Sequence, residues 1–210
     1  MNVVQLVKSY FPEVTEEQEK KFALLEGLYR DWNDKINVIS RKDMDSFGVH
    51  HVLHSLAIAK IIRFKPGTQV MDVGTGGGFP GIPLAILFPE VNFYLVDSIG
   101  KKIKVVQGIA EALGLKNVKA EQIRVEDTVG KQDFIVSRAV TAFPAFVELT
   151  RHKIGKVSVN DFPNGIIYLK GGDFEDEIKP FADRVQVYEI PDFFQEDFFE
   201  TKKIIYLKNE

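Results

Sequence analysis

A chain of 210 residues, 45% hydrophobic and 27% charged, suits one large globular domain or a core domain with a modest appendage. It contains no cysteine, which excludes a disulfide framework, a thiolate metal site and every mechanism that needs a cysteine nucleophile. The net charge of −3 hides an asymmetry: residues 173–210 hold 11 acids against 5 bases, so the first 172 residues are net basic by 3 and a nucleic-acid face is compatible with an acidic chain.

No apolar run is long enough to span a membrane, and the opening MNVVQLVKSYFPEV lacks the basic-then-apolar pattern of a secretory signal. A cytoplasmic protein without a membrane partner is expected. Residues 1–65 read as a helical extension. Thr15 is an N-cap with Gln18 three residues on, followed by Phe22, Leu25, Leu28, Tyr29 and Trp32 at helical spacing. NVISRKD (37–43) reads as a polar connector and 44–62 as a second helix. Trp32 and Asn33 are expected to lock the extension onto the remainder of the chain.

From Pro66 the texture changes to strands alternating with helices, over residues 66–210. TQVMDV is a β-rich run ending in glycines, PLAILF a helix, NFYLVD a strand, GKKIKVVQGIAEALGL a helix closing at Gly114, and NVKAEQI and DFIVSRA two strands. FPAFVELTRH follows as a helix, then GIIYLK, RVQVYEI and KKIIYLK as three strands, the last two forming an antiparallel hairpin at the sheet edge. Alternation of this kind predicts an α/β fold with a mostly parallel sheet covered on both faces. Seven strands with this ending describe a Rossmann-like S-adenosylmethionine-dependent methyltransferase sheet better than a six-stranded dinucleotide sheet.

The segment MDVGTGGGFPG (71–81) fits two patterns at once. Gly76, Gly78 and Gly81 spell the dinucleotide fingerprint, whereas Asp72, Gly74, Gly76 and Gly78 spell the form used for S-adenosylmethionine. Asp97, at the end of the second strand, suits ribose hydroxyls in either case. Asp72 and Pro80 discriminate. A carboxylate beside the loop favours a cofactor bearing a sulfonium and an ammonium over a pyrophosphate, and the proline deletes one N–H that a pyrophosphate site would use. In RVED, Val125 suits the face of an adenine and Glu126 its edge, and Arg138 ends the fourth strand, where this fold lines its cleft. His50, His51 and His54 are not read as metal ligands, since only His50 and His54 share helical ligand spacing and no second donor group completes a site. No metal and no obligate protein partner are expected.

Together WNDKINVIS, HVLHSLAIAK, DVGTGGGFPGIPLAI, LVDSIGKK, RVED, SRAV and LKGG, in this order over residues 20–172, resemble the bacterial small-subunit (16S) ribosomal RNA guanine-N7 methyltransferases, also called glucose-inhibited division protein B. The resemblance implies methyl transfer from S-adenosylmethionine, with S-adenosylhomocysteine as product, to a guanine N7 of small-subunit rRNA, presented free or in the subunit particle. It assigns the cofactor to Gly74, Phe79, Val125, Glu126 and Arg138, beside the Asp72, Gly76 and Asp97 read from the loop and strand ends. Arg138 is the candidate catalytic residue, its paired donors suited to the cofactor end or to the target base and phosphate. Asn37, Arg41, His51 and Lys170 are the candidate substrate contacts. One departure is His54, where the family commonly carries Asp. Two other readings share the sheet: a methyltransferase for another RNA, protein or small molecule, and a non-catalytic RNA-binding assembly factor. The intact glycine loop argues against the latter.

Overall fold

The structure is a computed structural model describing residues 1–138 and 141–210. Ala139 and Val140, the second half of the SRAV string, lie outside the described residues. Helix α1 (Val3–Tyr10) begins with a capping box between Asn2 and Gln5. Helix α2 (Glu16–Asn33) begins with the expected one: Thr15 N–H donates to Gln18 Oε1 at 2.9 Å and Gln18 N–H to Thr15 Oγ1 at 3.3 Å. Gln18 also joins the extension to the sheet domain. Its Nε2 donates to the carbonyls of Ile86 and Leu87 at the C-terminus of α6 (Gly81–Leu87), groups that have no partner within their own helix.

Trp32 rests on α7 (Gly100–Ala112) at Gly108, where any Cβ would collide with the indole ring. Asn33 works locally instead, holding the connector through Val38 N–H, Ile39 N–H and Ile39 C=O. The connector is shorter than expected, because Ser40 caps α3 (Arg41–Asp45) through Asp43 N–H. The helix expected over 44–62 is interrupted at Ser46, and from Phe47 on the backbone stays helical through changes of turn width. After α3 come a π-helical turn (Gly48–Leu53), α4 (His54–Leu56) and α5 (Ile58–Ile61). The wide turn shifts the helical register by a residue. In this arrangement His50 reaches back to Asp43 while His51 faces the sheet.

Seven strands follow: β1 (Gln69–Val73), β2 (Asn92–Asp97), β3 (Val118–Gln122), β4 (Phe134–Arg138), β5 (Gly165–Gly171), β6 (Val185–Glu189) and β7 (Lys202–Lys208). Their order is β3-β2-β1-β4-β5-β7-β6, parallel through β5. The expected antiparallel pairing of β6 with β7 is present, and β7 inserts between β5 and β6. Helix α8 (Phe143–Thr150) covers one face. The extension and α6 and α7 cover the other, sharing one apolar cluster that runs from Val3 to Tyr206. Strand alternation assigns the faces. Val70, Phe134 and Val136 belong to the cluster on the extension side, and Met71, Val73 and Ile135 to the opposite one. Asp72 and Arg138, two residues on from Val70 and Val136, therefore point toward the extension.

Candidate active site

Strand order reverses between β1 and β4, and the crevice outside the carboxyl ends of the strands at such a point is where open α/β sheets bind ligands. A cleft of about 550 Å3 opens there, a volume suited to a small-molecule cofactor. Gly74, Asp97, Val125, Glu126 and Arg138, five of the residues picked from the sequence, line it. Sequence reasoning missed Lys102, Arg124, Phe146 and Leu149 on the same walls. A larger cavity of about 790 Å3, between the extension and residues 87–91, precedes the strands and contains none of their carboxyl ends.

The loop after β1 is shaped by positive φ at Gly74 (68°), Gly76 (59°) and Gly78 (103°), conformations that disfavour any side chain. Gly76 N–H donates to Asp97 Oδ2 at 3.0 Å and Ile99 N–H to Asp97 Oδ1 at 2.9 Å. Each carboxylate oxygen thus keeps acceptor capacity for a hydroxyl in the cleft. Apolar Val125 is buried and lies in the cleft wall with Phe146 and Leu149. The turn that carries Val125 and Glu126 is fixed by Lys153. This buried lysine donates to Glu126 C=O at 2.9 Å and Thr128 C=O at 2.6 Å. No signal in the sequence marked it, because a lysine between Arg151 and Lys156 reads as surface.

Asp72 is placed differently from the sequence-based expectation. Its side chain is fully buried beneath the loop, where Oδ2 accepts from Thr75 Oγ1 at 2.7 Å and from Gly81 N–H at 2.8 Å, and Oδ1 has no partner among the described residues. Burial pushes its carboxyl up to about 7, against the lowering effect of those two bonds and of the Arg138 charge. The reason for the placement is period two along β1: the residue beside the cleft is Val73, and Asp72 faces the other way. Phe79 is likewise buried. Its ring lies 4.9 Å from Tyr29 and from His51, and carries the Arg138 guanidinium at 5.3 Å.

Arg138 is the hub. Nη1 donates to His50 C=O and Nη2 to His51 Nδ1, both at 2.9 Å. It lines the cofactor-sized cleft and also a second cavity of about 220 Å3 with Asp43, His51, His54, Lys170 and Lys202. His51 and Lys170, two of the expected substrate contacts, are thus gathered beside Arg138. Asn37 and Arg41 are exposed and line neither cavity, although Val38, next to Asn37, packs over Gly77 of the glycine loop. Burial and the Arg138 charge depress the His51 imidazole to about 3 and hold His54 well below the ordinary range, so both are neutral at physiological pH. Among the described residues no group of three or more His, Asp or Glu is arranged to hold a metal ion, and no helix is long and apolar enough to cross a membrane.

Residues 18–205 match the family described as rRNA small subunit methyltransferase G (GidB). The chain is 60% identical over 201 residues to the ribosomal RNA small subunit methyltransferase G of Flavobacterium psychrophilum, covering 96% of each chain. It is 56% identical over 204 residues to that of Christiangramia forsetii, covering 97% of this chain and 96% of the relative. Its fold is similar to a crystal structure of a SAM-dependent methyltransferase from Aquifex aeolicus, with a TM-score of 0.54, 18% identity, and coverage of 73% of this chain and 88% of that one. A glycine loop and an Asp-ended second strand at the switch point of a seven-stranded sheet agree with these likenesses: the chain belongs to the rRNA small subunit methyltransferase G family.

Proposed function

We propose that this protein transfers the methyl group of S-adenosylmethionine to N7 of a guanine in small-subunit ribosomal RNA, in the cytoplasm. The observation that carries the reading is the position of Arg138, the residue shared by the cofactor-sized cleft and the smaller cationic cavity beside it. Bound in the cleft, the cofactor supplies an activated methyl on a sulfonium. In this reading Gly74 and Gly76 leave room for its methionine end, the free lone pairs of Asp97 accept from the ribose hydroxyls, and Val125 with Glu126 takes the adenine. Asp72 supports the site from below, keeping the loop shaped through Thr75 and Gly81.

What remains for the protein is alignment. Methyl transfer is an in-line displacement in which the carbon–sulfur bond breaks as the new bond forms, and guanine N7 offers a lone pair with no proton to remove. No general base is then required, and the residues nearest the junction agree with that. Arg138 is a permanent cation, and His51 spends its Nδ1 lone pair on Arg138. Methylation at a pyrimidine C5 usually proceeds through a cysteine adduct, which this chain cannot form. At the end of β4, where an amine-methylating tetrapeptide of the N/D-P-P-Y/F/W type would begin, the chain has Ser137-Arg138.

The test is to incubate the protein with radiolabelled S-adenosylmethionine and unmodified small-subunit RNA or particles, then digest and identify the labelled nucleoside. Label in 7-methylguanosine is expected. Label in another nucleoside, or none with an active control enzyme, overturns the reading.

A further inference from the structure

The cavity of about 220 Å3 behind Arg138 contains two cations, Arg138 and Lys202, that form no ion pair among the described residues. Among the described residues Arg138 donates to neutral groups, the His50 carbonyl and His51 Nδ1, and no carboxylate lies within ion-pair distance of it, although Asp72 and Asp43 act on its charge from farther away. Lys202 has no carboxylate partner among the described residues either, and its ammonium rests 5.0 Å from the Phe198 ring. The other charged groups of the cavity are already held by side-chain partners. Lys170 is held by Glu177 at 2.5 Å, and Asp43 is bound by His50 Nδ1 at 3.0 Å and by Ser40 Oγ at 2.6 Å.

Leaving a cation partly buried and unpaired is costly, so a pair converging on one small cavity marks a place for negative charge. The two imidazoles of the wall add no acid. His51 and His54 are buried, and each keeps an Nε2 without a partner among the described residues. Lys202 decides which anion. The carboxylate of the cofactor would meet Arg138, which lines both spaces, but Lys202 faces the smaller cavity and does not line the cofactor cleft. Arg138 also stands between that cavity and the cofactor cleft, so a base lying there would have the guanidinium between it and the methyl group. A group flanking the reacting base suits the cavity better than the base itself.

We propose that Arg138 and Lys202 form a phosphate subsite that grips the RNA backbone next to the target nucleotide. The subsite rests on the reading of the protein as an RNA methyltransferase. It supplies what the long-range charge of an acidic chain does not, a local cationic grip beside the reaction centre. The Lys202 ammonium contributes position and charge, and Arg138 offers its remaining N–H donors to a phosphate oxygen.

The test compares wild type with Lys202→Gln, and with Lys119→Gln on the distant edge strand β3 as a control for charge loss. Steady-state methylation is measured against RNA at several salt concentrations, with S-adenosylmethionine affinity measured separately. For Lys202→Gln the KM for RNA is expected to rise about tenfold and the slope of its logarithm against log salt to fall by about 1, with kcat and cofactor affinity unchanged. For Lys119→Gln no change is expected. A Lys202→Gln enzyme that matches Lys119→Gln in KM and salt slope overturns the proposal.

A second arm titrates inorganic phosphate into the wild-type protein and follows the side-chain nitrogen resonances of Arg138 and His51 by NMR, with no need for turnover. Shifts that Lys202→Gln weakens support the subsite, and their absence overturns it. Should Lys202→Gln weaken phosphate binding yet leave the KM for RNA unaltered, the cavity takes a free anion and the RNA assignment falls. Absence of any wild-type methylation of RNA removes the functional reading instead, and the phosphate arm still reports on the cavity.

Discussion

Arg138 Nη2 donates to His51 Nδ1 at 2.9 Å, which fixes the imidazole as the tautomer with its proton on Nε2 and opposes a second proton on the ring. Burial and the guanidinium at the end of β4 thus together keep a residue of the helical extension uncharged, across the seam between extension and sheet. Replacing Arg138 with Met is expected to abolish methylation while the protein stays folded, and to raise the His51 titration toward the ordinary imidazole range. Activity, thermal melting and histidine NMR read the three effects. Wild-type turnover in this variant removes Arg138 from the site.

His51 makes stability depend on acid. Its folded value of about 3 lies below the ordinary 6.5, so its contribution is fully present above 6.5 and is lost as pH falls from there toward 3. The loss approaches about 1.4 kcal/mol per pH unit in that window. His54 acts with the same sign. Denaturant unfolding of His51→Gln is expected to lose less stability than wild type between pH 6.5 and 4.5, and parallel curves would contradict the assignment.

Asp72 works in the opposite sense. Its carboxyl is raised from 3.8 to about 7, so its contribution is present below 3.8 and is lost as pH rises through 7. Between 3.8 and 6.5 the Asp72 and His51 slopes oppose each other, which flattens the wild-type curve. Asp72→Asn removes one side of the balance and is expected to steepen the acid limb while gaining stability near pH 8. A loss of stability at pH 8 would mean that the ionised carboxylate is favoured there.

Gly74 adopts φ of 68° in the cleft wall. A β-branched residue is strained in that conformation by roughly 1–2 kcal/mol and also fills the cleft. Gly74→Val is therefore expected to lose S-adenosylmethionine binding by more than about tenfold, with only a modest fall in melting temperature. Calorimetric titration checks the affinity, and an unchanged Kd would place the cofactor elsewhere.

Lys153 holds the Val125–Glu126 turn through two carbonyls from a buried position. Lys153→Met keeps the length and leaves those carbonyls unbonded, at a cost of about 2–3 kcal/mol. The variant is expected to raise the KM for S-adenosylmethionine several-fold with kcat and RNA KM retained. A fall in kcat with an unchanged cofactor KM would argue against a positioning role.

The sequence by itself determined the chain order and type of the strands, the capping box at Thr15 and Gln18, the glycine loop and the cleft-lining positions Gly74, Asp97, Val125, Glu126 and Arg138. These are legible because they depend on local chemistry: hydrophobic period, side-chain caps and φ above zero are written within a few neighbouring residues. The tertiary structure decided the remainder. Alternation along β1 turned Asp72 away from the cleft, the π-helical turn brought His51 and His54 to Arg138, and β7, inserted beside β5, brought Lys202 within the same cavity. Lys153 and Lys202 look like surface lysines when read in line. Burial and charge pairing depend on residues far apart in the chain, and only packing decides which of them meet.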